Sequence, residues 1–191
     1  MSIKLTLGKK ILIGFIICTA VLFGVAIFSF KNNEKFIASN EWVDHTNQVM
    51  YEFEQILVYS VDAETGARGF VITGNEDYLE PFNNANIKVF EHIDKVRNLT
   101  SDNPVQQKNV NELEAELKNH FKYLGGYIEL RGKDYEKTKQ VVSSGEGKKI
   151  EDGIRRIVDR ARTIEQNLLT ERRQASDEDA ANFNTVFILL I

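Results

Sequence analysis

A run of about twenty residues without a charge, Ile11 to Phe30 (ILIGFIICTAVLFGVAIFSF), constrains this chain more than any other feature. At about 1.5 Å of helical rise per residue it reaches across the roughly 30 Å hydrocarbon layer of a bilayer. Lys4, Lys9 and Lys10 precede it. The positive-inside tendency therefore predicts residues 1–10 in the cytoplasm, 11–30 as a membrane helix and residue 31 onward outside. A cleaved signal peptide is the competing reading. The run is overlong for one, and its exit, SFKNN, offers no small-x-small cleavage site. An uncleaved anchor is the expectation.

The last residues, Phe183 to Ile191 (FNTVFILLI), form a second apolar run. It reaches only about 14 Å, too little to cross a bilayer. A greasy tail is one reading. The preferred one is a second span cut short, so that the chain is the front part of a longer receptor with its continuation in the cytoplasm. Residues 31–182 then form one extracytoplasmic domain, and 183–191 begin the second span.

The chain has 191 residues and a net charge of −4. It fits one domain of ordinary size and carries no basic field suited to nucleic acid. The single cysteine, Cys18, lies inside the apolar run, so no disulfide framework exists within the chain. Two prolines, with abundant Glu, Lys, Leu, Ile and Ala, point to helices.

Between the apolar ends the pattern is helical, with three short interruptions. The first helix has no proline or glycine from Phe30 to Val61. Trp42, Thr46, Val49, Phe53, Ile56, Ser60, Ala63, Ala67 and Phe70 alternate by four and three, the seam of a coiled-coil-like bundle. Val43, Met50, Leu57, Glu64 and Val71 flank that seam at every seventh position, so Glu64 is expected at the edge of the core. Gly74-Asn75 ends this helix: a glycine suited to the helix end, then an N-cap with Glu76 and Asp77 behind it. The second helix is expected to bury Tyr78 or Leu79, Phe82, Val89, Ile93 and Val96, with Pro81 tilting its first turns. SDNP (Ser101 to Pro104) is the second break, with Asn103 as N-cap and Pro104 at the first helical position. The third helix carries Val110, Leu113, Leu117, Phe121, Leu124, Ile128, Tyr135 and Val142 near one face. Gly125-Gly126 and Gly132 weaken it and suggest a bend, and Arg131 falls on its apolar side. SSGEG (Ser143 to Gly147) is the third break. The last helix shows Ile150, Ile154, Ile157, Ala161, Ile164 and Leu168, then charges down to Asp179. The sum is all-α: an up-down four-helix bundle, preceded by one membrane helix and followed by the start of a second.

ETGARGFVITG (Glu64 to Gly74), YLEPF (Tyr78 to Phe82), DNP (Asp102 to Pro104), GKKIEDGIR (Gly147 to Arg155) and EQNLLTERR (Glu165 to Arg173) stand in this order along the chain. Together they resemble the CHASE family, type three, an extracellular sensory domain of bacterial histidine kinases, cyclases and chemoreceptors. The resemblance runs from about Glu41 to Arg173. The family usually has Gln where this chain has Ala67, so a polar contact of the relatives is absent here. The resemblance implies a helical bundle between two membrane spans that passes a stimulus to a kinase, cyclase or methyl-accepting module. It names no ligand. It implies a receptor that works as a homodimer in the inner or plasma membrane.

Glu64 and Arg68 stand one turn apart. They read as an exposed i,i+4 pair worth a few tenths of a kcal/mol, as a direct ligand contact, or as a partly buried network joined by Arg131 or Arg155. The alignment of Glu64 with apolar positions favours the network. If Arg68 is buried, replacing Glu64 with Ala is expected to cost ~3 kcal/mol or more. Gly66 and Gly69 cost a helix about 1 kcal/mol each against Ala, and the preferred reading is a close neighbour or a bend. With Thr65, Gly74, Tyr78, Arg131, Arg155 and Glu165, these residues form the candidate signalling and packing motif.

Chemistry is hard to find elsewhere. CxxCH for haem and Glu-x-x-His for a di-iron site do not occur. His45 and His120 each follow a glutamate by four (Glu41, Glu116), a spacing any amphipathic helix produces. No phosphate loop, nucleophile elbow or Ser/His/Asp set is evident, so no catalytic, cofactor or metal residue is assigned. Asn98-Leu99-Thr100 fits a glycosylation acceptor, idle in a bacterium. RRIVDRAR and TERRQASDEDA read as a solvated face, with a dimer contact as the alternative.

The leading expectation is the input region of a transmembrane receptor, most simply a sensor histidine kinase, with a chemoreceptor second. A stand-alone membrane-anchored interaction protein is the reading from another class, and an exported enzyme has only the charged helix in its favour.

Overall fold

The computed structural model describes residues 6–190, with side chains for all of these except Asn32 and 179–190. The expectations that rest on Lys4 and on Ile191 lie outside the described residues.

The described chain is helical, and no strand occurs among the described residues. Helix α1 spans Leu7–Thr73, α2 Glu80–Leu99, α3 Pro104–Arg131, α4 Tyr135–Ser143 and α5 Glu146–Leu190. A 3-10 turn, Glu76–Leu79, precedes α2. The chain divides into two compact units. One is His45–Leu169, and the other comprises Met1–Asp44 and Thr170–Ile191.

Local chemistry sets the breaks. α1 stops because Gly74 takes φ +73°, a conformation that excludes most side chains, and its N–H closes on Phe70 C=O at 2.7 Å. Asn75 then accepts from the Asp77 N–H at 3.0 Å and starts the 3-10 turn. Pro81 therefore does not tilt a helix already under way. It lies in the first turn of α2, where its missing N–H has no intrahelical acceptor to lose. Asn103 caps α3 by accepting from the Val105 and Gln106 N–H groups, each at 3.1 Å. The third helix is two helices rather than one bent one. Asp134 accepts from the Lys137 N–H at 3.0 Å and nucleates α4, so α3 ends at Gly132, while Gly125-Gly126 stay helical.

Within His45–Leu169, inter-helix contacts fix the topology. Arg162 donates to Glu54 at 2.6 Å and Ser60 to Glu151 at 2.7 Å, so α1 and α5 run antiparallel. Glu52 meets His92 while Gly66 meets Pro81, so α1 and α2 do likewise. Arg97 reaches Glu114 while Phe90 packs near Phe121, which sets α2 against α3. Gln106 binds the Ala161 C=O, and Arg160 binds Asn109, which sets α3 against α5. This is the up-down bundle that the helical pattern predicts.

Thr46, Val49, Phe53, Ile56, Ser60, Ala63 and Ala67 are fully buried, and Val71 and Glu64 nearly so. Trp42 departs from the predicted seam. It belongs to the other unit and is 47% exposed, with the Arg172 guanidinium 4.6 Å above its ring. Of the alternatives Tyr78 or Leu79, Tyr78 lies on the surface and Leu79 is half-buried. The apolar part of α1 carries a window of mean hydropathy 2.9, none of it buried.

Candidate functional site

α1, α3 and α5 each turn polar side chains into the bundle at one level. Ser60 and Glu64 stand one helical turn apart on α1, and His120 and Tyr127 two turns apart on α3. Glu151 sits on α5 beside the buried Ile150 and Ile154. Ser60 Oγ donates to Glu151 Oε2 at 2.7 Å and lies 3.1 Å from His120 Nδ1. Arg68 Nη2 pairs with Glu64 Oε1 at 2.8 Å, and Arg155 Nε approaches Glu151 Oε1 at 3.6 Å. Space is tight here: a Cβ on Gly147 would stand 3.5 Å from Glu64 Oε1 and 3.0 Å from the Tyr123 ring.

Three buried atoms in this chamber have no hydrogen-bond partner: His120 Nε2, Glu151 Oε1 and the Tyr127 hydroxyl. Their electrostatics follow from burial. Loss of water, helped by the Arg68 charge, pushes His120 down to about 4, so its imidazole is neutral at physiological pH. Burial raises the Glu151 carboxyl, against the Ser60 hydrogen bond and Arg155, which favour its ionised form. Burial, and next Glu64, push the Tyr127 hydroxyl well above its ordinary value.

Glu151 gives a signed expectation. A raised carboxyl contributes stability below its ordinary pKa and loses it as pH rises through the folded value. Glu151→Gln keeps an oxygen for Ser60 and removes the desolvated charge. Thermal melts should therefore show the variant gaining on the wild type as pH rises above the carboxylate range, and the two converging in acid. A variant that loses ground with rising pH would contradict the burial argument.

The residues singled out from sequence divide among four places. Glu64, Arg68 and Arg155 reach the chamber. Glu64 is nearly buried, its side chain 11% exposed, but Arg68 is 47% exposed. The expected ~3 kcal/mol for Glu64→Ala presumed a buried Arg68. A half-exposed guanidinium returns to water instead, so the loss is smaller. Thr65, Gly66, Arg68, Gly69, Tyr78 and Pro81 line an open groove of about 500 Å³. Gly66 and Gly69 admit the 3-10 turn there: a Cβ on Gly66 would meet Tyr78 O at 2.7 Å, and one on Gly69 the Tyr78 ring at 2.5 Å. Gly74 and Arg131 stand at the end of α1, where Arg131 Nε donates to Val71 C=O at 2.8 Å and its guanidinium lies 4.3 Å from the Tyr135 ring. Arg131 therefore does not join the Glu64 pair. Glu165 lies at another level, accepting from Gln106 Nε2 at 2.8 Å in a ladder with Asn109 and Arg160.

From sequence, Ser60 is noted only as a small residue of the seam, His120 only for its spacing from Glu116 and Glu151 only as a letter of GKKIEDGIR, and Tyr127 is not singled out. A signal existed. His120 and Tyr127 are in phase with Leu113, Leu117 and Leu124, and Glu151 is seven residues from the buried Val158. A polar side chain in register with an apolar stripe is the same mark that drew attention to Glu64.

The sensor domain of histidine kinase HK9 from Rhodopseudomonas palustris, known from its crystal structure, is similar to this chain at 24% identity, with a TM-score of 0.61. The likeness covers 65% of this chain and 98% of that one, and it concerns the fold. No curated protein sequence matches. The family profile described as the CHASE3 domain matches residues 39–175, most of the chain and all of the bundle. By that match this chain belongs to the CHASE3 family of sensory domains.

Proposed function

We propose that this chain is the extracytoplasmic input region of a bacterial transmembrane receptor, with a sensor histidine kinase as its output. One observation carries the reading. α1, Leu7–Thr73, is a single helix that bears both the apolar window and the buried bundle seam. Side chains packed along one face of a helix share its displacement, so a change of packing at Glu64 has a covalent route toward the apolar segment. A stimulus acts by favouring one of two bundle packings through its differential affinity.

The test is a chimera of this chain with the cytoplasmic part of a kinase of known activity. Inserting two residues between Phe30 and Trp42 rotates one part of α1 against the other by about 200°. Autophosphorylation in membranes should change markedly, whereas a seven-residue insertion, which restores phase, should return it toward the parent. Equal output from all three would end the relay reading. Membrane-impermeant thiol reagents should label Trp42→Cys from outside the cell, and labelling only after lysis would reverse the orientation.

The same helix supports the homodimer. Tyr51, Val58, Thr65 and Ile72 are exposed at seven-residue intervals on α1. A stripe of that period fits the seam of a second, parallel α1. Val58→Cys is expected to cross-link between chains in oxidised membranes, and Glu129→Cys, exposed on α3, is not. Equal yields for the two would remove α1 as the contact.

A further inference from the structure

The chamber between α1, α3 and α5 holds more unsatisfied chemistry than packing accounts for. Ser60 has one hydroxyl proton, and it goes to Glu151 Oε2. At the 3.1 Å contact with His120 Nδ1, the imidazole must therefore donate and the hydroxyl accept. A neutral imidazole protonated on Nδ1 carries its lone pair on Nε2. That atom is fully buried without a partner. Histidines that bind metals are held in this way, with one ring N–H tied to an oxygen acceptor and the other nitrogen bare. Glu151 Oε1 is also buried without a hydrogen bond. One ligand atom each from Glu64, His120 and Glu151 lie within 4.8 Å of one another.

We propose that Glu64, His120 and Glu151 bind a first-row transition-metal dication. The donor set decides the class: one imidazole with two carboxylates suits Zn²⁺ and its neighbours, whereas Mg²⁺ and Ca²⁺ take oxygen alone. The cluster is buried and carries two polar atoms without hydrogen bonds, His120 Nε2 and Glu151 Oε1, a state that buried polar groups rarely tolerate, while His120 Nδ1 stands 3.5 Å from Glu151 Oε2. Bonds of about 2.0–2.2 Å keep ligand atoms within roughly 4.4 Å of each other, so side-chain adjustment suffices to close the site and the ion ties α1, α3 and α5 to one another. Arg68 and Arg155 give up their carboxylates at little cost, since both are half exposed and turn into water. Arg68 also lines the groove beside Tyr78, so the ion changes the charge that groove presents. Sequence spacing predicts no metal because the three ligands come from three helices. The inference stands on side-chain geometry and is independent of the receptor reading.

Equilibrium dialysis of the whole chain in detergent against Zn²⁺ at pH 7.5 tests it, with Co²⁺ as the optical probe. The wild type should hold one Zn²⁺ per chain, show the strong d–d absorption of a low-coordinate site with Co²⁺, and melt at a higher temperature with the ion. Glu151→Gln, Glu64→Gln and His120→Asn should each bind at least tenfold more weakly and lose the thermal shift. Circular dichroism identifies which variants are folded, and the carboxamide variants keep the test decisive if His120→Asn is not. Absence of stoichiometric Zn²⁺ on the folded wild type overturns the proposal. So does undiminished binding by folded Glu64→Gln and Glu151→Gln, which would move the ion to Glu52 and His92 or to surface acids.

Discussion

Gly66→Leu should destabilise the bundle by about 3 kcal/mol, the upper part of the range for overpacked sites. The reason is what stands opposite. A Cβ at Gly66 would lie 2.7 Å from the backbone oxygen of Tyr78 and 3.3 Å from Pro81 Cβ. Neither is the free end of a flexible side chain, so the 3-10 turn and the start of α2 must move. Leucine gains nearly 1 kcal/mol of helix propensity over glycine, and the clash must exceed that for the sign to hold. Gly126→Ala makes the control. Gly126 is also within a helix, but a Cβ added there would meet nothing within 4 Å. That substitution should stabilise by about 1 kcal/mol. Chemical denaturation of both variants reads the difference. The same sign at both positions would mean that the turn does not press on α1.

Phe53→Ala is the second large effect, expected to cost about 3–5 kcal/mol. Phe53 is among the largest fully buried side chains, at the middle of the α1 seam. Removing its ring leaves a cavity that the surrounding helices fill only in part. Against a typical total stability of about 5–15 kcal/mol, the loss should lower the unfolding midpoint substantially without changing helical content below it. Tyr51, two residues away, is exposed. Tyr51→Ala should stay within about 0.5 kcal/mol in fold stability and, on the proposed dimer, weaken chain association instead. If Tyr51→Ala cost as much as Phe53→Ala, the orientation of α1 would be mistaken.

The sequence reading succeeded where information is local. The four-and-three alternation from Thr46 to Ala67 marks the buried face of α1, and the residues on it are fully buried. Asn103 with Pro104, and Gly74 with Asn75, act within one turn of themselves, so their roles are written in adjacent letters. The reading of one bent third helix failed because a glycine lowers helix stability without saying whether a new cap takes over. Asp134 does so, its side-chain carboxylate accepting from the Lys137 N–H. The family resemblance marked ETGARGFVITG as one motif, and the structure spreads its residues over the chamber, the groove and the end of α1.

Sequence alone determined that this chain is helical, where most of its helices begin and end, and which face of each turns inward. Those choices depend on side chains three or four residues apart. Tertiary structure decided which polar residues meet. Ser60 and Glu151 are 91 positions apart, and Ser60 and His120 are 60 apart. Periodicity fixes the rotation of a helix about its axis but is silent on how far one helix slides along another. That axial register is set by turn lengths and by interlocking side chains across the core, as where the Tyr78 turn seats on Gly66 and Gly69. It is this register that brings Glu64, His120 and Glu151 to one level.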